Sequence, residues 1–271
     1  MDALAQSGDK KGGVWLKVLR ASLSIPGARV DREAFLRREL SNRVSGAIVD
    51  RAVEVGPSRA GVPAATVKRI ATACIARHRL GVSASSFASG LPGGWWMLAS
   101  LPGDLTQFYW HVVTVAQKLA YLHGWPELLR DGDDIDDETL HFLTLFVGVM
   151  HGVAGAAKII SEISEAIGKE VAQRLPRMAL TKWGMYGVAK EVAKWIGIRL
   201  TKTTIARAAS KAVPIVGGLI SGGLTWFAFA SMSRRLQGHL EALLPHAAAE
   251  CPVANIDAPN VSRERRSAAE D

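Results

Sequence analysis

Asp104, Gln107, His111, Thr114 and Lys118 follow one another at steps of three, four, three and four residues. At 3.6 residues per turn, that spacing puts a carboxylate, an imidazole and an amine on one face of a helix. Asp104, His111 and Lys118 could pass a proton along that face, the chemistry of general acid–base catalysis. The plainer reading makes Asp104 a helix cap and leaves the others solvated, or satisfied by partner helices inside a bundle. A second candidate is the run Asp133-Asp134-Ile135-Asp136-Asp137. Clustered carboxylates supply hard oxygen ligands, so Asp133, Asp134 and Asp137 are the candidate ligands for magnesium. The competing reading takes Asp136 or Asp137 as the N-cap of the next helix, with Glu138 favourable at its positive end. No second acidic metal motif accompanies the run, and no metal centre is expected.

Other reactive chemistry is thinly represented. Cys74 and Cys251 stand far apart, without a Cys-x-x-Cys or Cys/His cluster, so zinc has no support. The seven histidines form no HExxH or i,i+4 pair. His141 and His151 fall in an otherwise uncharged segment and read as hydrogen-bonded core residues. No Walker A sequence, GxSxG or strand-associated GxGxxG occurs, so no cofactor is expected. These residues point to no particular reaction, and the balance favours a non-enzymatic role.

Composition points toward surfaces instead. The 271 residues are 48% hydrophobic and 21% charged, with a net charge of +8 and a mean hydropathy of +0.12. This excludes wholesale disorder and the collagen-like and disulfide-rich classes. The charge is segregated: residues 1–89 are net +8, 90–150 net −6, 151–240 net +9 and 241–271 net −3. Segments 80–103, 139–157 and 212–233 carry no charge. The last is long enough to span roughly 30 Å of hydrocarbon as a helix. It is flanked by Lys211, Arg234 and Arg235, but Pro214 and four glycines dilute it. A buried central helix is the competing reading. Gly148, Gly152 and Gly155, and likewise Gly218 and Gly222, have the small-residue spacing that lets helices approach closely.

Cations and tryptophans interleave in this region. Lys182, Lys190, Lys194, Lys202 and Lys211 accompany Trp183 and Trp195, with Glu191 the sole acid between Lys182 and Lys211. Trp226 follows in the uncharged segment, and Trp95-Trp96 sits in the Gly/Pro/Ser-rich stretch before it. A basic helical face beside tryptophans suits an anionic leaflet, at about 1 kcal/mol per cation near the surface. Tryptophan also favours membrane–water boundaries, although large cores use it too. The expected partner is an anionic membrane surface or an apolar ligand. Nucleic acid is not expected, because no reader motif is present.

The elements that must position these residues are helices. Gly13–Ser24 has an apolar side, and Ile25-Pro26-Gly27 breaks it. Asp31 reads as the N-cap of a long amphipathic helix carrying Leu36, Leu40, Val44 and Ile48, ended by Gly56-Pro57. A third helix runs from Pro63 to a stop at Gly81. Segment 80–103 suggests two short turns joined by loops. Asp104 caps a helix over 104–123, and Gly124-Trp125-Pro126 terminates it. The next helix is uncharged over 139–157. Further helical patterns reach residue 212, broken near Gly168, Pro176, Gly184 and Gly197. No segment alternates with period two, so the chain is expected to be all-α, a single multi-helix bundle with Gly-rich apolar helices at its centre. The expected organisation is a flexible start over 1–12, a helical domain over 13–245 and a disordered tail over 246–271. No apolar core of signal-peptide length follows Met1, so a cytoplasmic location is expected, peripheral at the inner face of the plasma membrane.

Several stretches, taken in order, resemble the EcsC-like family of bacterial proteins. They are Leu23-Ser24-Ile25-Pro26-Gly27-Ala28-Arg29-Val30-Asp31, Leu101-Pro102-Gly103-Asp104-Leu105, Gln117 to Trp125, Gly148-Val149-Met150-His151-Gly152, Leu180-Thr181-Lys182 and Val213 to Gly223. The resemblance spans most of residues 14–240. It implies a helical protein with no assigned reaction, and a possible protein partner from the same operon, since the family is named for a member encoded beside an ATP-binding-cassette transporter. It carries over no catalytic residues.

Overall fold

The computed structural model describes the backbone of residues 2–90, 95–129, 135, 137–169, 185–209 and 214–248. Side chains are described over 12–86, 103–129, 135, 137, 139–167, 185–201 and 223–243. Among the described residues the chain is all-α, with nine helices and no strand. They are α1 (Asp2–Leu23), α2 (Arg32–Leu40), α3 (Gly46–Val55), α4 (Ala64–Gly90), α5 (Trp95–Leu122), α6 (Asp137–Met150), α7 (Ala154–Lys169), α8 (Met185–Ala209) and α9 (Pro214–Ala248).

α6 is the centre of the bundle and touches α1, α5, α7, α8 and α9. Residues 140–150 are buried throughout, with Leu140, Leu145, Phe146, Val147 and Met150 wholly removed from solvent. Each large apolar side chain so buried contributes roughly 1.5–3 kcal/mol. Trp15 on α1 fixes the register of this core. Its ring packs edge-on to Tyr109 of α5 at 4.8 Å, and its Nε1–H donates to Thr144 Oγ1 of α6 at 2.8 Å. Satisfying the indole N–H lets the ring be buried without an unpaired donor. Around this centre, α1 packs on α8 and α5, and α4 lies against both α5 and α9.

Several expected boundaries move. α1 begins at Asp2 rather than Gly13, and α9 runs on through His246 to Ala248; residues 249–271 of the expected tail lie outside the described residues. Asp31 does cap α2, its Oδ1 accepting from the Ala34 N–H at 2.7 Å. The long helix expected from Asp31 to Val55 is two, parted at Ser41–Ser45. Serine and asparagine there compete for the backbone, and Ser45 is extended. Gly81 does not stop α4, nor does Gly197 stop α8. Asp104 is not a cap, because α5 begins at Trp95. The single helix expected over 139–157 breaks at His151-Gly152-Val153, where α6 and α7 meet at 119°. Gly152 makes that turn with φ +80°, which residues with a Cβ rarely adopt. Among the described residues no single helix is long and apolar enough to cross a membrane.

Candidate functional site

Two residues of the face read from the sequence meet a partner that reading missed. Lys118 Nζ on α5 donates to His78 Nε2 on α4 at 2.9 Å. His78 Nδ1 lies 3.0 Å from His111 Nδ1. The result is a linear chain, Lys118–His78–His111, between α4 and α5. His78 and His111 are buried, and Lys118 is half-buried. Gly81, one turn beyond His78, makes room for it. A Cβ at Gly81 would sit 2.8 Å from His111 Cε1, so the glycine read as a helix stop is a point of close approach. Asp104 stands two turns earlier on α5, about 10 Å along the axis from His111. The third member of the chain is thus His78, and Asp104 is half-buried elsewhere. Its inward direction was readable from Val67, Ala71, Cys74 and His78, which form one apolar row of α4.

The donors fix the polarity of this chain. With Lys118 protonated, His78 Nε2 can only accept, so the proton of the neutral ring sits on Nδ1 and is donated to His111 Nδ1. His111 then carries its own proton on Nε2. Burial holds both rings neutral. His78 is pushed down to about 3, by desolvation first and then by Lys118, His111 and Arg77. His111 is pushed down to about 4, by desolvation and then by Lys118. Lys118 is lowered too, chiefly by burial, with Arg38 and Arg77 adding to the effect. Trp110 packs against both imidazoles, with ring centroids at 6.0 Å from His78 and 4.5 Å from His111. It also lines an open groove of about 560 Å³ with Ile25, Gly103, Thr106 and Gln107. The indole therefore stands between the groove and the chain.

A second polar cluster lies at the α6–α7 bend. Tyr109 Oη is 3.4 Å from His151 Nε2, and burial raises the phenol and pushes the imidazole down to about 4. Trp195 packs on the His151 ring at 5.5 Å, and the Arg199 guanidinium covers Trp195 at 4.5 Å. Arg235 Nη1 donates to the Met150 carbonyl at 2.8 Å, satisfying an acceptor at the end of α6. At Gly148 a Cβ would lie 2.8 Å from both Ala156 Cβ and Val192 Cγ1, and at Gly155 it would lie 3.4 Å from Val188 Cγ1. α6, α7 and α8 converge on these glycines.

The remaining candidates separate by place. Lys190 and Arg234 are exposed, Lys194 is half-buried, and Trp226 is half-buried beneath the Arg79 guanidinium at 3.8 Å. Lys182, Trp183, Lys211, Asp133 and Asp134 lie outside the described residues, as do the side chains of Trp95, Trp96, Lys202, Gly218 and Gly222. Asp137 opens α6 and pairs with Arg20 at 2.5 Å. Among the described residues no group of three His, Cys, Asp or Glu could hold a metal ion.

α9 divides the uncharged segment lengthwise over its described part. Thr225, Phe229, Met232 and Ser233 are buried, whereas Leu224, Phe227, Ala228, Ser231 and Arg234 face outward. Leu224 is 65% and Phe227 74% exposed. Leu80 on the adjoining α4 is 63% exposed, next in sequence to the Arg79 that covers Trp226. The outward row runs from apolar to basic within three turns. Comparison with family models, curated proteins and solved structures finds no match to this chain.

Proposed function

We propose that this protein docks peripherally on an anionic membrane surface through the outward row of α9 and the neighbouring part of α4, without catalysing a reaction. The observation that carries this reading is the exposure of Leu80, Leu224 and Phe227 beside Arg79 and Arg234, in a chain that buries most of its other large apolar side chains. Exposed apolar groups that continue into cations match the layering of a leaflet, where acyl chains give way to phosphate. Insertion of Leu224 and Phe227 would contribute roughly 1.5–3 kcal/mol each. Each nearby cation would add about 1 kcal/mol. The geometry suits shallow docking of one helical face rather than spanning. It accords with the EcsC-like resemblance of the sequence motifs and with a place at the inner face of the plasma membrane. Flotation with phosphatidylcholine vesicles, with and without phosphatidylglycerol, tests it. The chain should float with the anionic vesicles and release as salt rises. Absence from both vesicle types at low salt overturns the reading and leaves the same row as a protein-docking face.

A second reading, a helical enzyme acting at the Lys118–His78–His111 chain, is favoured by one observation: Trp110 separates that chain from an open groove by one ring. It requires the imidazoles to be reachable from the groove. Acylation of His78 or His111 by diethylpyrocarbonate in the folded protein would support it, and protection of both would end it.

A further inference from the structure

Glu39, at the end of α2, is a buried carboxylate surrounded by more positive charge than it can neutralise. Arg38 Nη2 lies 3.5 Å from its Oε1, Arg77 Nη1 3.8 Å from the same oxygen, and Arg43 Nη1 3.9 Å from Oε2. None of the three forms a close two-pronged pair with Glu39, and Arg43 instead donates to the Glu39 carbonyl. The guanidinium side chains of Arg38 and Arg77 are both 62% exposed. Lys118 adds a fourth cation. It is half-buried, bonded to an imidazole rather than a carboxylate, and it feels both Arg38 and Arg77. His78 cannot supply negative charge, and Cys74 beneath is a buried thiol that burial keeps protonated. One acid thus faces four bases from α2, α4, α5 and the α2–α3 turn. The forks of Arg38 and Arg77 are left open toward solvent.

We infer that Arg38, Arg77 and Lys118 form a binding site for a phosphate group, with Glu39 holding the two arginines apart when the site is empty. The planar guanidinium fork matches the oxygen spacing of a phosphoryl group, and two forks plus an ammonium can meet three of its oxygens. An arriving dianion relieves the mutual repulsion of the cations, which a single carboxylate at 3.5–3.9 Å does only in part. The site lies beside the proposed docking face. Arg77 and Leu80 are three residues apart on the exposed side of α4, so a lipid phosphate could be held while Leu80 meets acyl chain. A free phosphorylated compound has the same chemistry. Only the choice of the lipid as the source rests on the docking reading.

The full chain is tested with two probes: inorganic phosphate, read as a rise in melting temperature against chloride at equal ionic strength, and vesicles containing phosphatidic acid, read by flotation. The Arg38→Ala/Arg77→Ala variant should lose the phosphate-induced rise and weaken vesicle binding on the order of tenfold. Leu224→Ser/Phe227→Ser should weaken vesicle binding and keep the phosphate response. Glu39→Gln, which removes the competing carboxylate with little change of shape, should respond to lower phosphate concentrations than the parent. Loss of the phosphate response in the arginine variant with no vesicle binding by the parent supports the site and makes a free phosphate compound its source. A parent with no phosphate-specific response, or an arginine variant that responds like the parent, overturns the inference whatever the vesicles show.

Discussion

The α4–α5 junction and the outward row of α9 hold comparable mixtures of cation, aromatic ring and apolar side chain, yet they are opposite in state. Between α4 and α5, Lys118, His78 and His111 bond to one another, and Trp110 covers them. On α9, Leu224 and Phe227 meet water and Arg234 is exposed. A polar group inside a bundle must find its partner within the chain, because an unmet donor or charge there costs several kcal/mol. An apolar group outside finds no such partner and remains available to something else. The inner site is therefore expected to report on stability and the outer one on binding. Variants that break this division are the informative ones.

The largest effect is expected from His78→Ala. It removes the acceptor of Lys118 and the neighbour of His111 together, leaving a half-buried ammonium beside Arg38 and Arg77. A loss of about 2–4 kcal/mol is expected in urea unfolding. Lys118→Met removes the charge instead of stranding it, and should cost less than His78→Ala. The reverse order would mean that the lysine, and not the chain, supports the junction.

Acid provides the next test. His78 and His111 have folded values of about 3 and about 4, below the ordinary 6.5. Between those limits the unfolded chain binds more protons than the folded one. Stability is thus complete above about pH 6.5 and falls as pH drops toward 4, by about 1.4 kcal/mol per pH unit for each histidine. His78→Gln keeps an acceptor near Lys118 but removes one titrating ring. Its urea midpoint should depend less on pH between 6.5 and 5 than the parent's. An unchanged slope would remove these imidazoles from the acid response.

Packing at the α6–α7–α8 junction gives a smaller effect. Gly148→Ala must fit a Cβ 2.8 Å from two neighbouring methyl groups, and about 1–3 kcal/mol of destabilisation is expected. At Gly155 the nearest atom is 3.4 Å away, so Gly155→Ala should be close to neutral. Equal losses at both positions would show that the helices do not approach as closely at Gly148 as these distances state.

These sites also show which features local sequence can carry. The helical class and the Asp31 cap follow from local periodicity and cap chemistry, and both were legible. So was the shared face of His111 and Lys118. Its third member was not, because His78 reaches the site from another helix, and i,i+4 spacing says nothing about pairs between helices. Gly81 and Gly197 looked like stops on local propensity alone. In the fold α4 and α8 run through both, and Gly81 is required by the ring of His111. The bend at His151-Gly152 hid inside an apolar run, where burial on all sides removes the amphipathic signal that marks helix ends. The uncharged segment of α9 could be read as core or as lipid contact. Over its described part it is half of each, a lengthwise division that only the placement of α4 reveals.

Phe227 is where that division can be tested with the smallest disturbance to the fold. It is 74% exposed, and its neighbour Trp226 turns toward Arg79 while Phe229 is buried against Phe108. Phe227→Ser should therefore change unfolding stability by no more than about 0.5 kcal/mol. If the row enters the leaflet, the same change removes an insertion contribution of roughly 1.5–3 kcal/mol, and vesicle affinity should fall about tenfold or more. Trp226→Ser should behave differently, costing stability as well, because the indole carries the Arg79 guanidinium. A Phe227→Ser variant that loses stability as Trp226→Ser does would make the outer row part of the core. A variant that keeps both stability and affinity would free α9 from the membrane reading and leave the cations alone to account for binding.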